Sequence, residues 1–274
     1  MLFYGTSYIL SANQDSEDKR IHLVEHLMDN NLGYSLEAKL SDILRWEDEL
    51  AEMYRRKKDY KHMFLVRQMA SYALAADGQI NEALEKANSI LRQATQMKND
   101  IGIAIAHYAI GDTYLCANMA NEAVEEYEVS INKLYKIPDS GKLQERGLIQ
   151  LAPTLIRLKR MPEAQAYLDR MEQVNDDHHS RFMENIFQAY YYLYANDLDK
   201  VRKYIQEAEE WYEYYPFYFH SSILKYIQAE YAKNTGNDEQ AIELYNELTD
   251  HSNGANTYNK YLKMKNALAY LYTK

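Results

Sequence analysis

The residues with the clearest capacity for chemistry form an H-x-x-E-H arrangement near the start of the chain. His22 and His26 lie four positions apart, so on a helix both imidazoles would share one face and could bind zinc, with Glu25 as general base. Zinc-dependent peptide hydrolysis also needs a third ligand and an α/β scaffold, whereas this motif lies in a short helix that leads into a helical array. We therefore interpret the arrangement as a coincidence and predict no metal site.

A second group of potential ligands is the run Asp176-Asp177-His178-His179. Adjacent residues in a turn rarely converge on one ion, and aspartate before a helix is a common N-cap, so we interpret the run as a helix start. The sequence contains neither a nucleophile elbow nor a phosphate-binding glycine loop. It therefore predicts a non-enzymatic protein with no catalytic residue and no cofactor.

Charge and composition argue against two classes of partner. Lys and Arg total 31 and Asp and Glu total 41, which gives a formal net charge of −10. Because binding to a phosphate backbone rests on basic side chains, this balance predicts no nucleic-acid partner. No apolar run approaches the roughly 20 residues needed to cross a bilayer, so we expect membrane attachment only through segments absent from this chain.

The N-terminal segment, residues 1–20, has two interpretations. Its first twelve residues are mostly apolar and end in Leu10-Ser11-Ala12. This pattern resembles the second half of a secretory signal, which ends in a small-residue cleavage site. The positively charged start of such a signal is missing, because Lys19 is the first basic residue. A signal remnant favours an extracytoplasmic location, whereas an ordinary N-terminus leaves a cytoplasmic location open.

A repeat of about forty residues must position whatever site the protein has. Five segments place a small residue on one helix, then a polar or glycine break, then a second helix centred on an equivalent residue. These equivalent residues are Ala83, Ala123, Ala164, Val201 and Ala241, separated by steps of 40, 41, 37 and 40. Self-similarity at this period is typical of stacked helical hairpins, so the sequence predicts an all-α solenoid.

The pattern predicts one continuous helical array over residues 21–274. Turn residues that tolerate positive φ separate the helices, as at Gly78, Asn196 and Gly236. The predicted parts are leading helices at 21–57, hairpins at about 60–97, 100–136, 142–174, 179–214 and 217–250, and a partial hairpin at 256–273.

The repeated residues resemble the tetratricopeptide repeat (TPR) family over roughly residues 60–273. In the second hairpin Gly111 and Tyr114 occupy the first helix, and Ala123 and Tyr127 occupy the second. The corresponding residues are Ser71, Leu74, Ala83 and Ala87 in the first hairpin, Ala152, Leu155, Ala164 and Leu168 in the third, Ala189, Tyr192, Val201 and Ile205 in the fourth, and Ala229, Ala232, Ala241 and Tyr245 in the fifth. The resemblance implies a right-handed superhelix of antiparallel helical hairpins.

The repeat unit departs from the family in length. The family unit has about 34 residues, and the unit here is longer and lacks the proline that commonly closes it. Such units are similar to repeat regions of bacterial signalling proteins, including sensor histidine kinase ectodomains. The resemblance implies a sensory or scaffolding module that binds a protein or peptide. A structural adaptor for a multiprotein assembly and a cytoplasmic peptide-pheromone-type regulator are the alternatives.

The resemblance also implies a binding site, because the first helix of each TPR hairpin lines a concave groove. The groove positions in this sequence are Gln68, Tyr72, Tyr108, Asp112, Arg146, Arg157, Tyr190, Tyr194, Tyr226, Glu230 and Lys233. Tyrosines there would give rigid amphipathic contacts, and Arg146 and Arg157 could bind a carboxylate. The alternative is that these tyrosines pack between neighbouring helices.

Overall fold

The computed structural model describes residues 40–174, 178–212, 218–250 and 258–273, and these residues form twelve α-helices and no strand. The helices are α1 (Leu40–Arg56), α2 (Tyr60–Ala76), α3 (Ile80–Gln96), α4 (Asp100–Cys116), α5 (Ala120–Leu134), α6 (Gly141–Arg157), α7 (Met161–Val174), α8 (His178–Tyr194), α9 (Leu198–Tyr212), α10 (Tyr218–Asn234), α11 (Asp238–Asp250) and α12 (Tyr258–Thr273). The motif at His22, Glu25 and His26 and the carboxylates of Asp176 and Asp177 lie outside the described residues. None of the described helices combines the length and apolarity needed to cross a bilayer.

The fold is an α-solenoid, in which helices that follow one another in sequence pack together. Contacts join α1 to α2, α2 to α3 and α3 to α4, and they run again without a break from α6 to α12. Helices two apart also pack together, namely α2 with α4, α6 with α8, and α8 with α10. These are the first helices of successive hairpins, so within each set the first helices lie side by side and form one face.

The chain divides into two compact units, with the boundary between Glu126 and Tyr127. This boundary lies inside the continuous helix α5 and not in a linker. The first unit contains α1 to α4 and the start of α5, and the second contains the rest of α5 and the helices that follow.

Alanine occupies four of the five positions predicted for the close crossing of the two helices of a hairpin, and Val201 occupies the fifth. Ala83, Ala123, Ala164, Val201 and Ala241 all have 0% exposure. In the first hairpin the Ser71 hydroxyl donates a hydrogen bond to the Ala83 carbonyl oxygen across a distance of 2.9 Å. A side chain as short as serine can reach the backbone of the next helix only where the two helices are close, which explains why large residues are absent there.

Seven turns between described helices share one backbone structure. In each turn, the residue two places before the first residue of the next helix has positive φ. These residues are Lys58, Gly78, Lys98, Asn118, Lys159, Asn196 and Gly236. The amide that follows donates to a carbonyl five residues back, as from Gln79 to Leu74 and from Asn99 to Ala94, both at 2.9 Å. This is the Schellman ending, which satisfies the last carbonyl groups of one helix and starts the next after a fixed number of residues.

Candidate ligand-binding face

Seven of the eleven predicted groove residues lie on the first helices of the second unit, and we call six of them, all except Arg146, the binding face. Its members are Arg157 on α6, Tyr190 and Tyr194 on α8, and Tyr226, Glu230 and Lys233 on α10. Because α8 packs against both α6 and α10, the first helices of three successive hairpins present these side chains next to one another.

The two tyrosines of α8 form the middle of the binding face. The Tyr190 hydroxyl donates to the Tyr194 hydroxyl at 3.3 Å, and the two rings meet edge to face with centroids 5.1 Å apart. Burial is the main cause of a raised pKa for the Tyr190 phenol; Tyr194 and Tyr226 raise it further, and Arg157 opposes them. Groups on both neighbouring helices, Arg157 on α6 and Tyr226 on α10, thus affect the pKa of Tyr190. The raised pKa keeps its phenol a neutral hydrogen-bonding group at physiological pH.

Glu230 is the centre of a hydrogen-bonded cluster at the α10 end of the face. Its carboxylate accepts a hydrogen bond from the Tyr245 hydroxyl of α11 at 2.5 Å and forms an ion pair with Lys233 at 2.5 Å. The pKa of Tyr226 is raised by burial first, then by the charges of Glu230 and Tyr194, and by a hydrogen bond to Glu230. Donors from two helices, Tyr245 on α11 and Lys233 on α10, therefore hold one carboxylate.

An open cleft of about 610 Å³ lies beside this cluster, between α10 and α12. Its volume falls within the range of roughly 300–1,000 Å³ that small-ligand sites have. Tyr226, Glu230, Lys233 and Asn234 line it from α10, and Asn266, Ala267 and Tyr270 line it from α12. The binding face thus continues into a cavity large enough to hold part of a ligand.

The sequence analysis missed the α12 wall of the cleft, although the signal was present. Asn266 lies forty residues after Tyr226, and Tyr270 lies forty residues after Glu230. The forty-residue repeat, extended by one helix, gives both residues positions equivalent to groove residues of α10.

In the first unit, three of the four predicted groove residues are buried. Gln68 has 0% exposure, Asp112 has 2% and Tyr108 has 7%. The Gln68 carboxamide on α2 donates to the Asp112 carboxylate on α4 at 2.9 Å, so this pair joins two neighbouring first helices. Tyr72 is half-buried and is engaged in an interaction of its own. Gln68 and Asp112 thus pair between two helices, and the three buried side chains expose little surface to a ligand.

The two arginines of α6 differ in what they can offer a ligand. Arg146 is half-buried and is already engaged in an interaction. Arg157 is exposed, and its only hydrogen bond within the described residues is a long one, 3.4 Å, to the Thr154 hydroxyl. Arg157 is therefore the cation of the binding face whose N–H groups are available to donate hydrogen bonds to an anionic group of a ligand.

The chemistry of the face suits recognition by hydrogen bonds and stacking. It consists of phenols, one guanidinium and an ion pair whose members neutralise each other. Among residues whose side chains the structure describes, no group of three His, Cys, Asp or Glu could hold a metal ion.

Comparison with known proteins bears on the fold. No protein-family model matches this chain, and no curated protein matches its sequence. Among solved structures, the crystal structure of the apo form of RapI, a TPR-like helical-repeat protein, matches over 98% of both chains with a TM-score of 0.55 and 13% identity. At this identity the match shows the fold alone, and it confirms the predicted TPR-like α-solenoid.

Proposed function

We propose that this protein is a non-enzymatic module that binds an extended peptide or protein segment on the binding face of its second unit. The observation that carries the proposal is the alignment of six predicted groove residues on three neighbouring first helices, ending in the cleft between α10 and α12. Tyrosine and arginine are, with tryptophan, the residue types that most often dominate the energy of protein interfaces.

Each part of the face has a defined role in the proposal. Arg157 binds a carboxylate of the partner through paired N–H donors. Tyr190 and Tyr194 supply rigid contact area with hydroxyl groups at its rim, which lowers the entropy lost on binding. The cleft takes a side chain of the partner that projects between α10 and α12.

The cellular role we propose is that of a sensory or scaffolding segment of a bacterial signalling protein. Support comes from the long, proline-poor repeat unit, which is similar to those of sensor kinase ectodomains and of peptide-pheromone-type regulators. In a solenoid each hairpin contacts only its neighbours, so a ligand that spans α6, α8 and α10 would stiffen that part of the array.

A selection from a library of random linear peptides, followed by calorimetry on the enriched peptides, tests the proposal. Tyr270→Ala removes an aromatic side chain that lines the cleft and is 60% exposed. We expect this change to weaken binding of a selected peptide by about tenfold or more, the usual loss for an interface tyrosine.

Tyr272 provides a matched control on the same helix. It is 64% exposed, but its hydroxyl accepts a hydrogen bond from Asn246 of α11 at 3.2 Å, away from the cleft. Tyr272→Ala should leave the affinity unchanged. Equal losses in the two variants, or a wild-type protein that enriches no peptide, would overturn the proposed function.

A further inference from the structure

The charged groups of the cleft are already satisfied by the protein itself. Glu230 and Lys233 are 2.5 Å apart, and the side chains are 18% and 26% exposed. Glu230 also accepts from Tyr245 at 2.5 Å. A ligand that entered the cleft would therefore meet no net charge, and it would have to break these bonds to recruit either group.

The groups that the protein leaves unused are two carboxamides and a phenol. Asn234 and Asn266 are exposed on opposite walls of the cleft, and neither side chain has a hydrogen-bond partner among the described residues. The Tyr270 ring lies one helical turn after Asn266 and is likewise exposed. Each carboxamide offers two donors and one acceptor, so the free hydrogen-bonding capacity of the cleft is neutral and mixed.

We propose that the cleft is a subsite for a carboxamide side chain, Asn or Gln, of the bound peptide. The inference rests on the proposed function and adds the identity of the side chain that the cleft selects. A ligand carboxamide can donate to one asparagine oxygen and accept from the other asparagine NH₂, which satisfies both walls at once. The Tyr270 ring then covers the apolar stem of that side chain.

Charged side chains of similar size fit the same space less well. A carboxylate has no donor for the asparagine oxygens, and an ammonium has no acceptor for the asparagine NH₂ groups. The Glu230–Lys233 pair, whose charges neutralise each other, compensates neither ion. Because each mismatch leaves polar groups unpaired, we expect the cleft to favour glutamine over glutamate or lysine by about tenfold.

The test repeats the peptide selection with a variant in which the walls accept but no longer donate. Asn234→Asp combined with Asn266→Asp keeps the shape of both side chains and makes the cleft acidic. The wild type should enrich peptides with Asn or Gln at one position, and the double variant should enrich Lys or Arg there instead. Asn246→Asp makes the same substitution on α11, outside the cleft, and should retain the wild-type preference. A thermal melt of each variant checks that it is folded.

The outcomes separate the subsite from the proposed function. If wild type and double variant enrich the same peptides, or if the wild-type peptides share no Asn or Gln, the carboxamide subsite is wrong while peptide binding stands. If the wild type enriches no peptide, the proposed function falls, and the subsite falls with it.

Discussion

At the scale of single residues, the contact between Glu230 and Tyr245 connects the binding face to the core. Tyr245 has 0% exposure and occupies the aromatic position of the second helix in its hairpin, whereas Glu230 lines the cleft. The 2.5 Å hydrogen bond between them therefore links a packing residue to a ligand-facing residue. A change at either partner should be measurable in both stability and binding.

We predict that Tyr245→Phe lowers the free energy of unfolding by about 1.5–3 kcal/mol at neutral pH, the usual value of a hydrogen bond to a charged group. Burial, followed by the hydrogen bond to Glu230, raises the pKa of Tyr245 above its usual value of 10.0. Because the neutral phenol is the stabilised form, its contribution is complete below about pH 10 and is lost as the pH rises further. Chemical denaturation of both proteins from about pH 7 to about pH 11 should therefore show a difference that narrows above about pH 10.

Tyr272→Phe is the control for the loss of a hydroxyl group. Tyr272 is 64% exposed, so the loss of its bond to Asn246 should change stability by less than about 0.5 kcal/mol at any pH. A difference between wild type and Tyr245→Phe that stays constant throughout the pH range would contradict the role given to Tyr245.

The sequence could predict which side chains share a face but not how they pair. The offsets that selected Tyr190, Tyr194 and Tyr226 also selected Gln68 and Asp112. The latter two are complementary in hydrogen bonding and lie on neighbouring helices, so they bond to each other and are buried. Such pairing depends on distances between helices, which a one-dimensional pattern does not contain.

At the scale of helices and turns, the forty-residue period is built from two equal halves. In the first unit, positive φ recurs at Lys58, Gly78, Lys98 and Asn118, which are twenty residues apart. Glycine and asparagine at such positions are recognisable in a sequence, because they tolerate this conformation. Lysine carries no such signal, and at Lys58 and Lys98 the packing of the flanking helices overrides its local preference.

Gly102 marks a close approach between helices of the first unit and gives a prediction at this scale. A Cβ atom on Gly102 of α4 would overlap the ring of Phe64 on α2 and lie 2.9 Å from the Ala94 Cβ on α3. Overpacking of this kind costs about 1–3 kcal/mol, and the better helix propensity of alanine offsets up to about 1 kcal/mol. We expect Gly102→Ala to lower the free energy of unfolding by about 1–2 kcal/mol in a denaturant titration.

Phe64→Leu tests the cause of that loss. Leucine is smaller than the Phe64 ring that Gly102 faces, so in this background the added methyl group should be tolerated better. The double variant should be more stable than the sum of the single changes predicts, by about 0.5 kcal/mol or more. Strictly additive effects would show that the clash with Phe64 is not the source of the loss.

At the scale of the whole molecule, the fold class was predictable because one pattern recurs five times. Ala83, Ala123, Ala164 and Ala241 are fully buried, and Val201, where the alanine is replaced, is buried as completely. The division into two compact units at Glu126 and Tyr127 was not predictable, since the boundary lies inside α5 and no composition change marks it. The partner was not predictable either, because the residues that define the fold are core residues, and those that meet a ligand are free to vary.

The most direct test of the central claim is to map where a selected peptide binds. A peptide from the library that carries a photoreactive group is cross-linked to the full chain, and the attachment sites are identified by mass spectrometry. We predict attachment to α6, α8, α10 and α12, at or beside Arg157, Tyr194, Tyr226 and Tyr270, with competition by the unlabelled peptide. Competable attachment confined to other helices would contradict the assignment of this face as the ligand-binding site.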